Sequence, residues 1–94
     1  MEQAGFGGQV RLQEINLEYV YILMCNNNKI YVGHTFNLEQ RLNRHVKRYV
    51  PATKGTRPVH LLTYLVFTDK YKAIAFEKYL KSGSGRAFLK RRLI

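Results

Sequence analysis

Hydrophobic residues form two apolar runs near the start of the chain, separated by a short polar segment. Residues 19–25 (YVYILMC) are apolar throughout and open with aromatic and β-branched side chains, which predicts a buried strand. Residues 26–29 (NNNK) predict a tight turn, because asparagine tolerates left-handed backbone geometry. Residues 30–35 (IYVGHT) then predict the returning strand of a β-hairpin.

The pattern changes to helical spacing after the hairpin. Asn37 and Gln40 form a capping-box-like pair at the predicted helix start, and Pro51 predicts its end. Apolar residues at helical spacing are predicted to face the core: Leu38, Leu42, Val46 and Tyr49. Basic and imidazole side chains line an adjoining face: Arg41, Arg44, His45 and Arg48.

A second strand-then-helix pattern follows a basic loop at residues 52–58. The apolar run at residues 59–68 (VHLLTYLVFT) predicts a third strand. Asp69 is a candidate cap for a helix over residues 70–81. The predicted buried stripe of this helix is Ala73, Phe76 and Leu80.

Alternating serine and glycine at residues 82–85 predict a break, and residues 86–93 predict a short, strongly basic terminal helix. The order is strand, strand, helix, strand, helix, helix. This order predicts an α+β domain with a small three-stranded antiparallel sheet flanked by helices.

The first part of the chain differs in composition from the rest. Residues 1–17 are rich in glycine and polar residues and have weak periodicity, so we predict a flexible N-terminal extension. Residues 18–94 are predicted to form one domain, since the 94-residue chain is too short for two.

The charge balance is strongly basic. The chain has 16 Lys and Arg against 6 Asp and Glu, a net charge of +10. A surface this basic predicts an anionic partner, because self-repulsion otherwise costs stability. Nucleic acid is the leading candidate, and an anionic membrane surface or plain solubility are the alternatives.

Cysteine content and apolar runs restrict the cellular setting. Cys25 is the only cysteine, so an intrachain disulfide is excluded, and we interpret it as a small buried hydrophobic residue. No apolar run approaches transmembrane length, and no signal peptide is recognisable. We therefore predict a cytoplasmic protein that does not associate with membranes.

Glu77 stands out as the only acidic residue among residues 70–94. Its spacing from Ala73 and Leu80 places it on the same side of the helix as the apolar stripe. One interpretation is an ion pair with Lys81 at i+4. The other is a metal ligand, and the helix pattern alone leaves both open.

Residues in the hairpin and the first helix favour the metal interpretation. Mg²⁺ keeps most of its waters and often uses one or two protein carboxylates, so Glu77 alone can suffice. Tyr21 and Tyr31 can serve as a base if their pKa is lowered by a nearby cation. Arg41 offers a planar fork for a phosphate, and Gly33 leaves room for substrate near the strand backbone. This combination is typical of phosphodiester hydrolysis.

Four segments together resemble the GIY-YIG endonuclease superfamily, in its small stand-alone bacterial form: residues 19–21 (YVY), 31–35 (YVGHT), 37–42 (NLEQRL) and 77–81 (EKYLK). The resemblance covers residues 19–93 and extends to the N-terminal nuclease domain of the bacterial excision-repair nuclease. The chain departs from the pattern at Tyr19, where the first motif has glycine, and at Val20 and Val32, which replace isoleucine.

The resemblance implies a metal-dependent endonuclease that cuts DNA, with a role in DNA repair. It implies that Glu77 binds Mg²⁺ or Mn²⁺, that Arg41 contacts phosphate, and that Tyr21 or Tyr31 is the general base. His34, after the motif glycine, is implied to assist. No small-molecule cofactor is expected, and protein partners are left open.

A second set of residues is predicted to bind the nucleic acid: Gly33, Arg44, His45, Arg48, Lys54, Arg57 and Arg86. The same basic residues are compatible with a non-catalytic nucleic-acid-binding module, which is the alternative function. A protein-interaction module is a third hypothesis. The substrate structure and the oligomeric state are not predicted.

Overall fold

The computed structural model describes residues 16–25, 28–47 and 59–94. Its elements are β1 (Glu18–Cys25), β2 (Ile30–Thr35), α1 (Leu38–Val46), β3 (Val59–Phe67), α2 (Lys70–Leu80), α3 (Gly83–Phe88) and a terminal π-helical turn (Leu89–Leu93). The predicted α+β class and the order ββαβαα are confirmed. The predicted extension over residues 1–17 lies almost wholly outside the described residues, and the boundary at residue 18 stays a prediction.

The three strands form one antiparallel sheet with β1 in the centre, in the order β2-β1-β3. Tyr21 of β1 lies opposite Gly33 of β2 and Tyr64 of β3. The β1–β3 register shifts between Ile22 and Leu23. In the predicted turn, Asn28 has a φ of 63°, the left-handed geometry that asparagine tolerates.

The hydrophobic core lies on one face of the sheet, beneath α2 and α3. It is formed by buried side chains from strands and helices: Val20, Ile22, Val32, Ala73, Leu80 and Leu89. Side chains alternate between the two faces of a strand, so Tyr21 and its cross-strand neighbours point to the other face. That face meets α1 through ring contacts to His45. Cys25 is buried, as predicted.

Helix α1 begins as predicted but presents a different side to the sheet. Asn37 caps it by accepting a hydrogen bond from the Gln40 N–H at 3.0 Å. Val46, predicted to face the core, is 50% exposed, whereas His45 is fully buried. The prediction for Val46 is wrong because the rings of β1 and β2 draw the neighbouring imidazole inward. Tyr49 and Pro51 lie outside the described residues.

Side-chain caps determine where α2 and α3 begin. Asp69 caps α2, as predicted, by accepting from the Tyr71 N–H at 2.8 Å. The predicted break at residues 82–85 is shorter than expected, because the Ser82 hydroxyl accepts from the Gly85 N–H at 3.2 Å and starts α3 at Gly83. The terminal helix therefore begins earlier than residue 86.

The end of the chain widens into a π-helical turn. The Ile94 N–H donates to the Leu89 carbonyl at 3.1 Å, and the Leu89 side chain anchors the turn in the core. Within the described ranges, no helix is both long and apolar enough to cross a membrane.

Candidate functional site

Two tyrosines and a histidine form a cluster on the α1 side of the sheet. The ring centroids of Tyr21 and Tyr31 are 6.1 Å apart. His45 lies edge-on to both, with centroid distances of 5.6 Å to Tyr21 and 4.9 Å to Tyr31. The Tyr21 hydroxyl and His45 Nε2 are hydrogen-bonded at 3.0 Å. We call these three residues the tyrosine–histidine cluster.

Burial controls the ionisation of Tyr21 and His45. Burial raises the pKa of Tyr21, Tyr31 adds to the rise, and the nearby Arg41 guanidinium opposes it without reversing it. Burial also lowers the pKa of His45 to about 4, helped by the charges of Arg41 and Arg44. Tyr21 and His45 are therefore both neutral at pH 7, so their hydrogen bond joins two uncharged groups.

Gly33 makes room for the cluster. It lies directly opposite Tyr21 in the sheet and is buried. A Cβ atom at this position would lie 2.6 Å from the Tyr21 hydroxyl oxygen. The space left by the glycine is thus filled by a tyrosine ring. The prediction that Gly33 admits nucleic acid to the strand backbone stays a prediction, and the side-chain space at Gly33 is explained by Tyr21.

The carboxylate of Glu77 lies in a separate network on the α2 side of the sheet. His34 Nδ1 hydrogen-bonds to its Oε1, and Lys81 Nζ donates to its Oε2 at 2.7 Å. Burial raises the pKa of Glu77, but Lys81 and His34 outweigh that effect and hold it below its ordinary value. We call Glu77, His34 and Lys81 the Glu77 network.

Both sequence interpretations of Glu77 bear on this network. The predicted ion pair with Lys81 is confirmed. A hydrated Mg²⁺ or Mn²⁺ would also fit a single carboxylate, but it would compete with Lys81 and His34, since each carboxylate oxygen already makes one hydrogen bond. Among the described residues no group of three or more His, Cys, Asp or Glu side chains could hold a metal. Glu77 would thus be its single carboxylate ligand.

The cluster and the network meet at the outer edge of β2, which pairs only with β1 among the described residues. A groove of about 300 Å³ runs along this edge, and it is lined by Ile30, Tyr31, Val32, Leu80, Lys81, Arg86, Leu89 and Lys90. We call it the edge groove. Tyr31 of the tyrosine–histidine cluster and Lys81 of the Glu77 network both line the edge groove. The groove is therefore cationic and aromatic, with the carboxylate one side chain away.

The remaining predicted residues are distributed as follows. The Arg41 guanidinium lies near the Tyr21 hydroxyl and partly offsets the rise in its pKa. Arg86 lines the edge groove. Arg44 is exposed. His45 is fully buried, so the prediction that it contacts nucleic acid directly is wrong for this structure. The other predicted contacts lie outside the described residues: Arg48, Lys54 and Arg57.

Comparison with known proteins identifies the family of the chain. A sequence model of the GIY-YIG catalytic domain matches residues 17–91. The chain belongs to the GIY-YIG family. Membership identifies a nuclease domain, for which DNA is the implied substrate.

The relatives are small bacterial GIY-YIG proteins. A UPF0213 protein encoded in the ldhD 5′ region of Pediococcus acidilactici is 37% identical over 76 residues, which is 77% of this chain and 76% of the relative. A UPF0213 protein of Staphylococcus haemolyticus is 37% identical, covering 77% of this chain and 89% of the relative. The solution NMR structure of a UPF0213 protein from Bacillus halodurans aligns with a TM-score of 0.53 at 28% identity, covering 80% of this chain and 83% of that chain.

Sequence reasoning predicted a nucleic-acid contact for His45 but missed its buried hydrogen bond to Tyr21, and it did not place Lys90 beside Arg86 in the predicted set. Both had a signal. His45 follows Arg41 by four residues, so both lie on one side of α1, and that side faces the tyrosines. Lys90 follows Arg86 by four residues, and both line the edge groove. The i,i+4 relation to a predicted site residue was the available signal in each case.

Alanine at Gly33 is expected to destabilise the domain by about 1–3 kcal/mol, because the buried Tyr21 ring has no room to retreat. Thermal unfolding followed by circular dichroism measures the loss. The NMR signals of the His45 ring should shift at the same time, since its partner hydroxyl moves. Unchanged stability and unchanged His45 signals would contradict the packing described.

His45 is expected to make stability depend on pH. The unfolded chain protonates this imidazole near its ordinary value of 6.5, whereas the folded chain does so only near 4. The unfolded state thus binds more protons in this interval, and the free energy of unfolding should fall by on the order of 2 kcal/mol as the pH drops through it.

Urea unfolding at several pH values between about 7 and 5 measures this effect. His45→Gln should flatten the pH dependence. The exposed His60 provides the matched control, and His60→Gln should leave the slope unchanged. Equal slopes in all three proteins would contradict the burial of a neutral His45.

Proposed function

We propose that this GIY-YIG domain is a metal-dependent endonuclease that hydrolyses DNA phosphodiester bonds at the edge groove. The observation that carries the proposal is the lining of one groove by Tyr31 and by Lys81, the partner of Glu77. Phosphodiester hydrolysis needs a base, charge neutralisation and an assisted leaving group, and these residue types supply each requirement.

Phosphate binding is assigned to the cations of the groove. Lys81, Arg86 and Lys90 line it and form a set of donors for one backbone segment. Charge-assisted hydrogen bonds from such groups to phosphate are stronger than neutral ones. Arg41, which acts on the tyrosine–histidine cluster, would contact the phosphate from the α1 side.

Tyr31 is the proposed general base. It lines the groove, whereas Tyr21 is fully buried and its pKa is raised. Tyr21 and His45 hold the Tyr31 ring in position through the contacts of the cluster. His34 holds Glu77 by hydrogen-bonding to one of its oxygens.

Glu77 is the proposed ligand for Mg²⁺ or Mn²⁺. When bound, the ion would neutralise the phosphate and assist departure of the leaving oxygen. Lys81 would then release Oε2 and turn toward the phosphate of the substrate. Its side chain is 51% exposed, so it has room to move.

Nicking of a supercoiled plasmid tests the proposal. Purified protein with Mg²⁺ or Mn²⁺ should convert the plasmid to the open circle, and a chelator should stop the reaction. Product ends should carry a 3′-hydroxyl and a 5′-phosphate. Plasmid that stays supercoiled with either ion, in the presence of folded protein that binds it, would refute the endonuclease.

A non-catalytic nucleic-acid-binding module is the second candidate. It is favoured by the engagement of both Glu77 oxygens with His34 and Lys81, which competes with a metal. Both candidates require affinity for duplex DNA to fall with salt, by about 0.9 in log K per log salt for each phosphate contact. Metal-dependent turnover separates them. A role in DNA repair and a cytoplasmic location remain predictions.

A further inference from the structure

A second basic groove lies beside the C-terminal segment, residues 83–94, on the side away from the edge groove. It has a volume of about 380 Å³ and is lined by Tyr79, Ser84, Ala87, Phe88, Arg91 and Arg92. We call it the terminal groove. It shares no lining residue with the edge groove, which receives Arg86 and Lys90 from the same segment. The segment thus divides its cations between two surfaces.

The terminal groove combines an exposed aromatic ring with two guanidinium groups. Tyr79 is 40% exposed, whereas the neighbouring rings of Phe76 and Phe88 are partly buried. Its ring packs against Phe88 at 6.0 Å and Phe76 at 6.2 Å, measured between centroids. Arg91 and Arg92 are exposed beside it. A rigidly supported ring of this kind is a stacking surface for a planar group.

The chemistry favours a nucleic-acid strand with unpaired bases. Residues 78–94 contain six Lys and Arg and no Asp or Glu, so the surroundings repel cations and attract phosphate. Stacking of successive bases on aromatic side chains, with arginine on the backbone, is how proteins hold single strands. In a duplex the base faces are stacked on each other, and Tyr79 would have no partner.

We propose that the terminal groove binds single-stranded DNA, with a base stacked on Tyr79 and phosphates on Arg91 and Arg92. What this binding implies for the substrate class rests on the proposed function of the edge groove. With a duplex at one groove and a free strand at the other, the substrate class becomes duplex DNA that carries a single-stranded arm. The binding itself requires no catalysis.

Fluorescence anisotropy with a labelled oligothymidine of about 15 nucleotides, in a chelator, tests the binding in the full-length protein. The double variant Arg91→Ala/Arg92→Ala should weaken this binding by about tenfold or more and lower the salt slope by about 1.4, the value for two phosphate contacts on single strands. Lys70→Ala/Lys72→Ala is the matched control with the same loss of charge. Because both lysines lie outside the groove, it should weaken binding by less than about threefold.

Tyr79→Leu separates stacking from charge. It should weaken binding of the oligothymidine by about tenfold while leaving the salt slope unchanged. Circular dichroism confirms that the variant is folded, and the arginine pair keeps the test decisive if it is not. Equal losses in the arginine pair and the lysine pair would overturn the inference, because they would show a bulk charge effect.

Two further results would also overturn it. Competition by polyglutamate as strong as competition by unlabelled oligothymidine would show that the surface recognises negative charge alone. Unchanged oligothymidine binding in the arginine pair would remove the groove from binding altogether. Failure of plasmid nicking is a separate result, since the anisotropy is measured without metal. The proposed nuclease and the terminal groove can therefore fail independently.

Discussion

Glutamine in place of Glu77 is expected to lower the rate of metal-dependent DNA nicking by about a thousandfold or more. The substitution keeps the shape of the side chain but removes its charge, so it cannot neutralise a cation. The rate of plasmid nicking under single-turnover conditions measures the loss. The same change at Glu39, an exposed residue in the first turn of α1, is the control and should leave the rate unchanged.

The loss of nicking in Glu77→Gln is expected with little loss of stability. Its partners His34 and Lys81 have side chains that are 31% and 51% exposed, so water can replace the lost contacts. Ion pairs of this kind contribute about 1 kcal/mol or less. Retained nicking in the folded variant would show that Glu77 is an ion-pair residue and nothing more. Metal binding measured by calorimetry on both proteins would then be equally weak.

Alanine at Gly85 is expected to destabilise the domain by about 3 kcal/mol or more, which is a large share of the stability of a domain this small. An added Cβ would overlap the Tyr79 carbonyl oxygen and would lie 2.8 Å from Leu80 Cα. Both atoms belong to the backbone at the end of α2, so neither can move without separating the two helices. Denaturation in urea measures the loss, if the variant folds at all.

Gly83 provides the matched control in the same helix. A Cβ at Gly83 would meet no atom within 4 Å. Gly83→Ala is therefore expected to leave stability unchanged or to raise it by roughly 0.5–1 kcal/mol, since alanine restricts the unfolded chain. Similar stability changes for the two alanine variants would contradict the close packing of α2 against α3.

Features that depend on near neighbours could be predicted from the sequence. The hairpin turn, the caps at Asn37 and Asp69, and the ion pair of Glu77 with Lys81 each involve residues within about four positions of one another. The prediction of α3 was less accurate. Ser82 hydrogen-bonds to the backbone on both sides of it and so starts a helix through glycines that are usually helix breakers.

Features set by packing between distant elements could not be predicted from spacing. Apolar periodicity placed Val46 toward the core of the domain, but the inner side of α1 is decided by the tyrosine rings, which can hydrogen-bond an imidazole and not a valine. The role of Gly33 depends on its register with Tyr21, which the sequence of either strand does not contain.

The distribution of the site over two faces follows from the alternation of strand side chains. Gly33 and His34 are adjacent, so the first lies on the side of the tyrosine–histidine cluster and the second on the side of Glu77. In a central strand, the sheet would separate the tyrosine–histidine cluster from the Glu77 network completely. Because β2 lies at the edge of the sheet formed by the described residues, a groove can reach both faces, and this position in the sheet could not be read from the sequence.

The fit of the Tyr21 ring into the space at Gly33 couples the two signature motifs of the domain. A smaller residue at Tyr21 would leave a void, and a larger one at Gly33 would create a clash, but both changes together relieve each other. The two positions should therefore show strong epistasis in a double-mutant cycle. A substitution in one triplet is therefore expected to change which residues the other triplet tolerates, even though they lie on different strands.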